Sequence, residues 1–118
     1  MVKVLLVEDN SAVNEMYILA LILKGHTTKS AMNGKEGLAI LALEDNIDII
    51  FTDYNMPIIN GYDFSKAVKT DKKYSKHSKV PILGIGDFPA DKKEYLVDCK
   101  DKPLPLKDFY KWIEQHCK

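Results

Sequence analysis

Residues 47–57, with the sequence IDIIFTDYNMP, contain the strongest indication of how this chain folds. The apolar residues from Ile47 to Phe51 predict a short strand that is buried on both faces, as in a parallel sheet. Asp53 stands where this strand should end, and Pro57 marks the loop that follows. Ligands of open parallel sheets bind beyond the carboxyl ends of the strands, so an acid at this position indicates a candidate site.

Two other segments place charged residues at predicted strand ends. The apolar run VLLV at residues 4–7 is followed by Glu8 and Asp9, and a short strand predicted at residues 97–101 is followed by Lys102. A single acid after a strand is usually a solvated turn residue, but charged groups at three strand ends predict a shared pocket. Carboxylate oxygens that lie close together suit Mg²⁺, and an opposing lysine would let the pocket accept a phosphoryl group.

The chain alternates between strand and helix patterns from end to end, without a linker or repeat. This alternation predicts one α/β domain over residues 1–118, with a parallel sheet, right-handed crossovers and helices on both faces. The polar second strand is expected at an edge of the sheet, and residues 90–96 form at most a short helix. The predicted strands are 4–7, 27–30, 47–51, 80–85 and 97–101, and the predicted helices are 12–23, 34–42, 64–68 and 106–117.

Composition narrows the possible functions. The 17 basic and 17 acidic residues balance, which argues against binding to nucleic acid or to an acidic membrane surface. Cys99 and Cys117 are too few and too irregularly placed for a disulfide framework or a zinc site, and no signal peptide is visible. We therefore expect a cytoplasmic protein. His26, His77 and His116 have no ligand-like spacing and are expected at the surface.

Several motifs together resemble the receiver domains of two-component response regulators, the CheY-like family. They are VLLVEDN at residues 4–10, TDYNMP at residues 52–57, Asn60-Gly61, Pro81 before the fourth strand, and Lys102-Pro103. The resemblance covers essentially the whole chain. It implies a flavodoxin-like, doubly wound, five-stranded parallel sheet of order 2-1-3-4-5.

The resemblance also implies a role for each residue of the pocket. Asp53 would attack a phosphohistidine of a sensor histidine kinase or phosphotransfer protein and form an acyl phosphate. Lys102 would pair with Asp53 and then with its phosphate, and Pro103 would follow a cis peptide bond that points Lys102 inward. The implied Mg²⁺ ligands are Glu8, Asp9, Asp53 and the main-chain carbonyl of Asn55.

The chain departs from the family pattern at its switch positions. Gly86 replaces a Ser or Thr whose hydroxyl reaches the phosphate, although a main-chain N–H of Gly86 or Asp87 could substitute for it. Cys99 replaces the switch aromatic. Only sixteen positions separate Gly86 from Lys102, which predicts a shortened fourth helix. Phe88 in this segment is either exposed at the pocket mouth or fills space left by the shorter helix.

Two functions from different classes are consistent with these residues. The first is a phosphoacceptor signalling domain that catalyses only its own phosphorylation and dephosphorylation. The second is a pseudo-receiver that binds partner proteins without being phosphorylated. An acyl-phosphate hydrolase is disfavoured because Asn55 stands where that class has a second aspartate, and a flavin site because no phosphate-binding loop follows the first strand. Phe109, Tyr110 and Trp112 are consistent with a surface for a partner protein, but their helical spacing favours packing in the core.

Overall fold

The computed structural model describes residues 1–116 and contains a five-stranded, all-parallel sheet of order 2-1-3-4-5, as the sequence predicted. The polar second strand lies at one edge, because it pairs only with the first. The strands are β1 (Lys3–Val7), β2 (Thr27–Ala31), β3 (Ile49–Asp53), β4 (Ile82–Ile85) and β5 (Asp98–Lys100). The fold is the predicted flavodoxin-like arrangement, and it brings the carboxyl ends of β1 and β3 side by side.

Within residues 1–116 the crossovers contain three α-helices and two 3₁₀ segments, and a fourth α-helix follows β5. The α-helices are α1 (Ser11–Leu23), α2 (Gly34–Leu43), α3 (Gly61–Thr70) and α4 (Leu106–His116). Asn10, Asn33 and Asn60 begin the first three, each accepting a hydrogen bond from a main-chain N–H three residues later. Gly25, with φ of +82°, follows the end of α1. None of the helices in the described residues is long and apolar enough to cross a bilayer.

The core has one apolar layer on each face of the sheet. Alternate residues of each buried strand enter opposite layers, so that Leu6 and Phe51 pack with α1 and α4 while Leu5 and Ile50 pack with α2 and α3. The predicted core aromatics are confirmed for Phe109 and Trp112, which are fully buried, and Tyr110 packs half-buried beside them.

The sequence did not predict the 3₁₀ segment Lys72–His77, and the surface position expected for His77 was wrong. The His77 side chain is buried, with Nε2 lying 3.0 Å from the carbonyl oxygen of Leu41 and 2.8 Å from that of Glu44. These two carbonyls belong to the end of α2, where helix carbonyls have no partner within the helix. His77 therefore links the segment before β4 to the end of α2.

The predicted short fourth helix is confirmed in the crossover between β4 and β5, which contains only the 3₁₀ turn Ala90–Lys92. Phe88 precedes this turn and is buried, so the second of its two interpretations is correct. The last helix was predicted to extend to Cys117, which lies outside the described residues.

Candidate functional site

The three predicted acids meet at the carboxyl edge of the sheet. Glu8 and Asp9 follow β1, Asp53 is the last residue of β3, and one carboxylate oxygen from each lies within 4.8 Å of the others. The fold buries two of these side chains, since Glu8 is 2% exposed and Asp53 is 8% exposed, whereas Asp9 faces solvent. Carboxylates rarely lie this close together and this deep without a cation to compensate them.

Lys102 supplies part of that compensation. Its Nζ lies 2.6 Å from Glu8 Oε1 and 3.0 Å from Asp53 Oδ2, and the peptide bond between Lys102 and Pro103 is cis. Burial alone would lower the pKa of Lys102, but its hydrogen bonds to Glu8 and Asp53 together raise it, so the amine is charged at neutral pH. Burial raises the pKa of Glu8, and the hydrogen bond from Lys102 only partly opposes that effect.

Main-chain and side-chain donors hold the two buried acids in place. The Asn10 N–H donates to Glu8 Oε2 at 3.0 Å, and the Tyr54 N–H donates to Asp53 Oδ1 at 2.8 Å. The buried Asn14 amide donates to the carbonyl of Glu8 at 2.9 Å and to that of Ala31 at 3.3 Å. The sequence analysis missed Asn14. The available signal was an amide on the inward stripe of α1, where an apolar residue would otherwise be expected.

Gly86 lies on the other side of Asp53. Its φ is +123°, a region that favours glycine, and a Cβ built on it would lie 2.9 Å from Asp53 Oδ1. Its N–H donates to the carbonyl of Lys100 at 2.8 Å, so this group is already engaged in the sheet. Cys99 is half-buried on β5 with Sγ 3.6 Å from the Gly86 carbonyl, and burial raises the pKa of its thiol. Gly86 thus adjoins the acidic pocket, and Cys99 contacts Gly86 from the β5 side.

Comparison with known proteins identifies the family. The sequence model of the response regulator receiver domain matches residues 4–101. The chain belongs to the response regulator receiver domain family. This receiver domain is 32% identical over 84 residues to a chemotaxis protein CheY homolog of Campylobacter jejuni, across 70% of its own length and 62% of that protein. It is 29% identical to hybrid signal transduction histidine kinase F of Dictyostelium discoideum, across 97% of its own length and 11% of that protein.

Solved structures agree with this assignment. The receiver domain superposes on the chemotaxis protein CheY4 of Vibrio cholerae with a TM-score of 0.84 and 29% identity, covering 98% of each chain. It has the same fold as the receiver domain of sensor histidine kinase PA1611 of Pseudomonas aeruginosa, with a TM-score of 0.81 and 18% identity, which was solved with magnesium in its active site cleft. The chain spans only part of the curated relatives named above, from 11% to 62% of their length.

The donor set of this receiver domain fits a divalent cation. The Lys102 amine compensates the negative charge of one of the three clustered carboxylates. Two negative charges remain in a cluster that reaches solvent at the exposed Asp9. Oxygen ligands in this number suit Mg²⁺, which keeps part of its water shell when it binds protein. Asn55 lies exposed in the loop after β3, two residues beyond Asp53.

Proposed function

We propose that this receiver domain accepts a phosphoryl group on Asp53 from a phosphohistidine of a sensor histidine kinase or phosphotransfer protein. A carboxylate oxygen of Asp53 would form the new P–O bond while the P–N bond to the donor imidazole breaks. The observation that carries the proposal is the position of Asp53, held between the Lys102 amine and two further acids at the carboxyl edge of the sheet. Relatives that are hybrid histidine kinases support a partner of this class.

Mg²⁺ is the cofactor that we propose for this site. Glu8, Asp9, Asp53 and the Asn55 main-chain carbonyl would hold it, and it would supply positive charge that offsets the phosphoryl oxygens. The clustered carboxylates support this proposal, as do two receivers of the same fold whose structures contain Mg²⁺. Lys102 would keep its charge throughout and move from Asp53 to the incoming phosphoryl group.

We further infer that the Asp87 N–H replaces the hydroxyl that Gly86 lacks. The Gly86 carbonyl accepts a contact from Cys99 on the β5 side, and the N–H of Asp87 belongs to the same planar peptide unit. In a trans peptide the N–H and the C=O point in opposite directions, so we expect the Asp87 N–H to face the β3 side, where Asp53 lies. A hydrogen bond to a charged group contributes about 1.5–3 kcal/mol.

The second candidate function is a pseudo-receiver that binds partners without phosphorylation. Two observations favour it, because Gly86 has no hydroxyl and Cys99 has no ring to rotate. The complete set of acids and Lys102 favours the phosphoacceptor. In either case we propose a cytoplasmic signalling domain. As a phosphoacceptor it would catalyse only its own phosphorylation and dephosphorylation.

Intact mass spectrometry tests the proposal directly. Incubation with Mg²⁺ and acetyl phosphate should add one phosphoryl group to the wild-type chain and none to Asp53→Asn. Asp91→Asn, which removes an exposed acid from the β4–β5 crossover, is the matched control and should be labelled like the wild type. An unlabelled wild type, under conditions that label an ordinary receiver domain, would favour the pseudo-receiver. Labelling that persists in Asp53→Asn would place the acceptor elsewhere.

A further inference from the structure

Phe88 occupies a slot that two glycines open. The residue is 5% exposed although it lies in the β4–β5 crossover outside any strand or helix. A Cβ on Gly84 in β4 would lie 2.7 Å from Phe88 Cε1, and a Cβ on Gly61 at the start of α3 would lie 2.7 Å from Phe88 Cζ. Any side chain at either position would overlap the ring. The ring and the two glycines are therefore complementary in shape.

The slot borders the main chain of the proposed phosphoacceptor. The ring of Tyr54 closes it, with its centroid 5.1 Å from that of Phe88. Gly61 donates its N–H to the Tyr54 carbonyl at 2.8 Å, and a Cβ on Gly61 would also collide with the Asp53 carbonyl oxygen. Tyr54 is the residue whose N–H orients Asp53 Oδ1. Phe88 thus rests against the residues that aim the Asp53 carboxylate.

Phe88 also holds the chain on the opposite side of that carboxylate. Its N–H donates to the Gly86 carbonyl at 3.0 Å, which closes a tight turn over residues 86–88. Gly86 in this turn approaches Asp53 Oδ1 so closely that a Cβ would lie 2.9 Å away. Phe88 is therefore connected to both sides of the site, to the Tyr54 ring through its own ring and to Gly86 through its main-chain N–H.

We propose that Phe88 is a positioning residue for Asp53. Packed between Gly84, Gly61 and the Tyr54 ring, the Phe88 ring keeps the Tyr54 N–H on Asp53 Oδ1 and the 86–88 turn against the carboxylate. The effect on phosphoryl transfer rests on the proposed function of Asp53. The effect on the orientation of the carboxylate does not, so the two can be tested separately.

The first test compares Phe88→Leu with Phe109→Leu. Both substitutions remove the same atoms from a buried phenylalanine, but Phe109 lies in the core layer on the α1 and α4 face of the sheet. The quantity to compare is the hydrogen-exchange rate of the Tyr54 amide relative to that of the Leu6 amide in β1. Phe88→Leu should increase the exchange rate of the Tyr54 amide by at least about tenfold more than that of the Leu6 amide. A tenfold change corresponds to roughly 1.4 kcal/mol. Phe109→Leu should accelerate both amides alike.

The second test displaces the Phe88 ring from the slot without changing residue 88. Gly84→Ala places a methyl group against Phe88 and the flexible end of Leu96, so it should reproduce the selective exchange at Tyr54. In a Phe88→Ala background the same change should have little further effect at Tyr54, because the ring is gone. The comparison of Gly84→Ala with the wild type stands even if the variants at residue 88 fail to fold.

The acetyl phosphate reaction supplies the functional readout. Phe88→Leu should slow labelling of Asp53 several-fold relative to Phe109→Leu, each measured where both variants are folded. If the exchange rate of Tyr54 relative to Leu6 is the same in Phe88→Leu and Phe109→Leu, the proposal is overturned even if the wild type is labelled. A wild type that is never labelled would instead overturn the proposed function, and selective exchange at Tyr54 would still support the positioning role of Phe88.

Discussion

Removal of the Lys102 charge should destabilise the domain, and Mg²⁺ should reverse the effect. Lys102→Met keeps most of the volume of the side chain but leaves Glu8 and Asp53 buried without their cation. At 2.6 Å and 3.0 Å each contact is worth about 6 kcal/mol of gross attraction at an effective dielectric constant of about 20. Desolvation offsets most of this attraction, and breaking a buried ion pair costs about 3–5 kcal/mol. The Lys102 side chain is 33% exposed, so we expect a loss of about 3 kcal/mol.

The loss should depend on pH with a defined sign. Burial raises the pKa of Glu8 and the hydrogen bond from Lys102 opposes that rise, so without Lys102 the folded variant takes up a proton on Glu8 more readily than the unfolded chain. The loss of stability in Lys102→Met should therefore be fully present above the raised pKa of Glu8 and should shrink as the pH falls below it. In the wild type the pKa of Lys102 is raised above 10.5, so its stabilisation is present at neutral pH and is lost only as the pH rises through that higher value.

Urea denaturation at several pH values, with EDTA or with Mg²⁺, measures the loss of stability, its pH dependence and its reversal by the metal. Lys107→Met, at an exposed position on α4, is the matched control and should change the free energy of unfolding little. Mg²⁺ should stabilise Lys102→Met more than the wild type, because the metal no longer competes with the amine for Glu8 and Asp53. A loss no larger than that of Lys107→Met, or one that Mg²⁺ leaves unchanged, would refute the electrostatic account of the pocket.

The remaining predictions concern the metal and the switch position. Mg²⁺ at a hundredfold excess over its dissociation constant should stabilise the wild type by about 2.7 kcal/mol, and Asp9→Ala should lose most of this increment in thermal melts. The affinity for Mg²⁺ should fall as the pH is lowered, because a proton on Glu8 competes with the metal. Since the pKa of Glu8 is raised, this fall should begin at a higher pH than for an ordinary glutamate. Mg²⁺ titrations at several pH values check this. Gly86→Thr should destabilise the fold by about 1–3 kcal/mol through backbone strain and a clash with Asp53 Oδ1. In amide NMR spectra of this variant, beryllofluoride should shift only the loops around residues 9, 53 and 86; shifts that extend along β5 would contradict the prediction.

Much of the fold could be predicted from local patterns in the sequence. Val4–Val7 and Ile49–Phe51 are apolar on both faces, which indicates central parallel strands, and the polar Thr27–Ser30 indicates an edge strand. The convergence of Glu8, Asp9, Asp53 and Lys102 was also predictable, because strands that run in parallel end at the same edge of the sheet. For these residues, position along the chain determines position in space.

The tertiary structure alone decided the features that depend on contacts between distant segments. Whether Phe88 was exposed or buried depended on a slot that Gly84 and Gly61 form only when β4 and α3 pack together. The burial of His77 depended on where α2 ends, and the role of Asn14 on two carbonyls at the ends of β1 and β2. Periodicity reports which face of its own element a residue occupies. A loop residue has no such period, so its burial is set by the space that other elements leave.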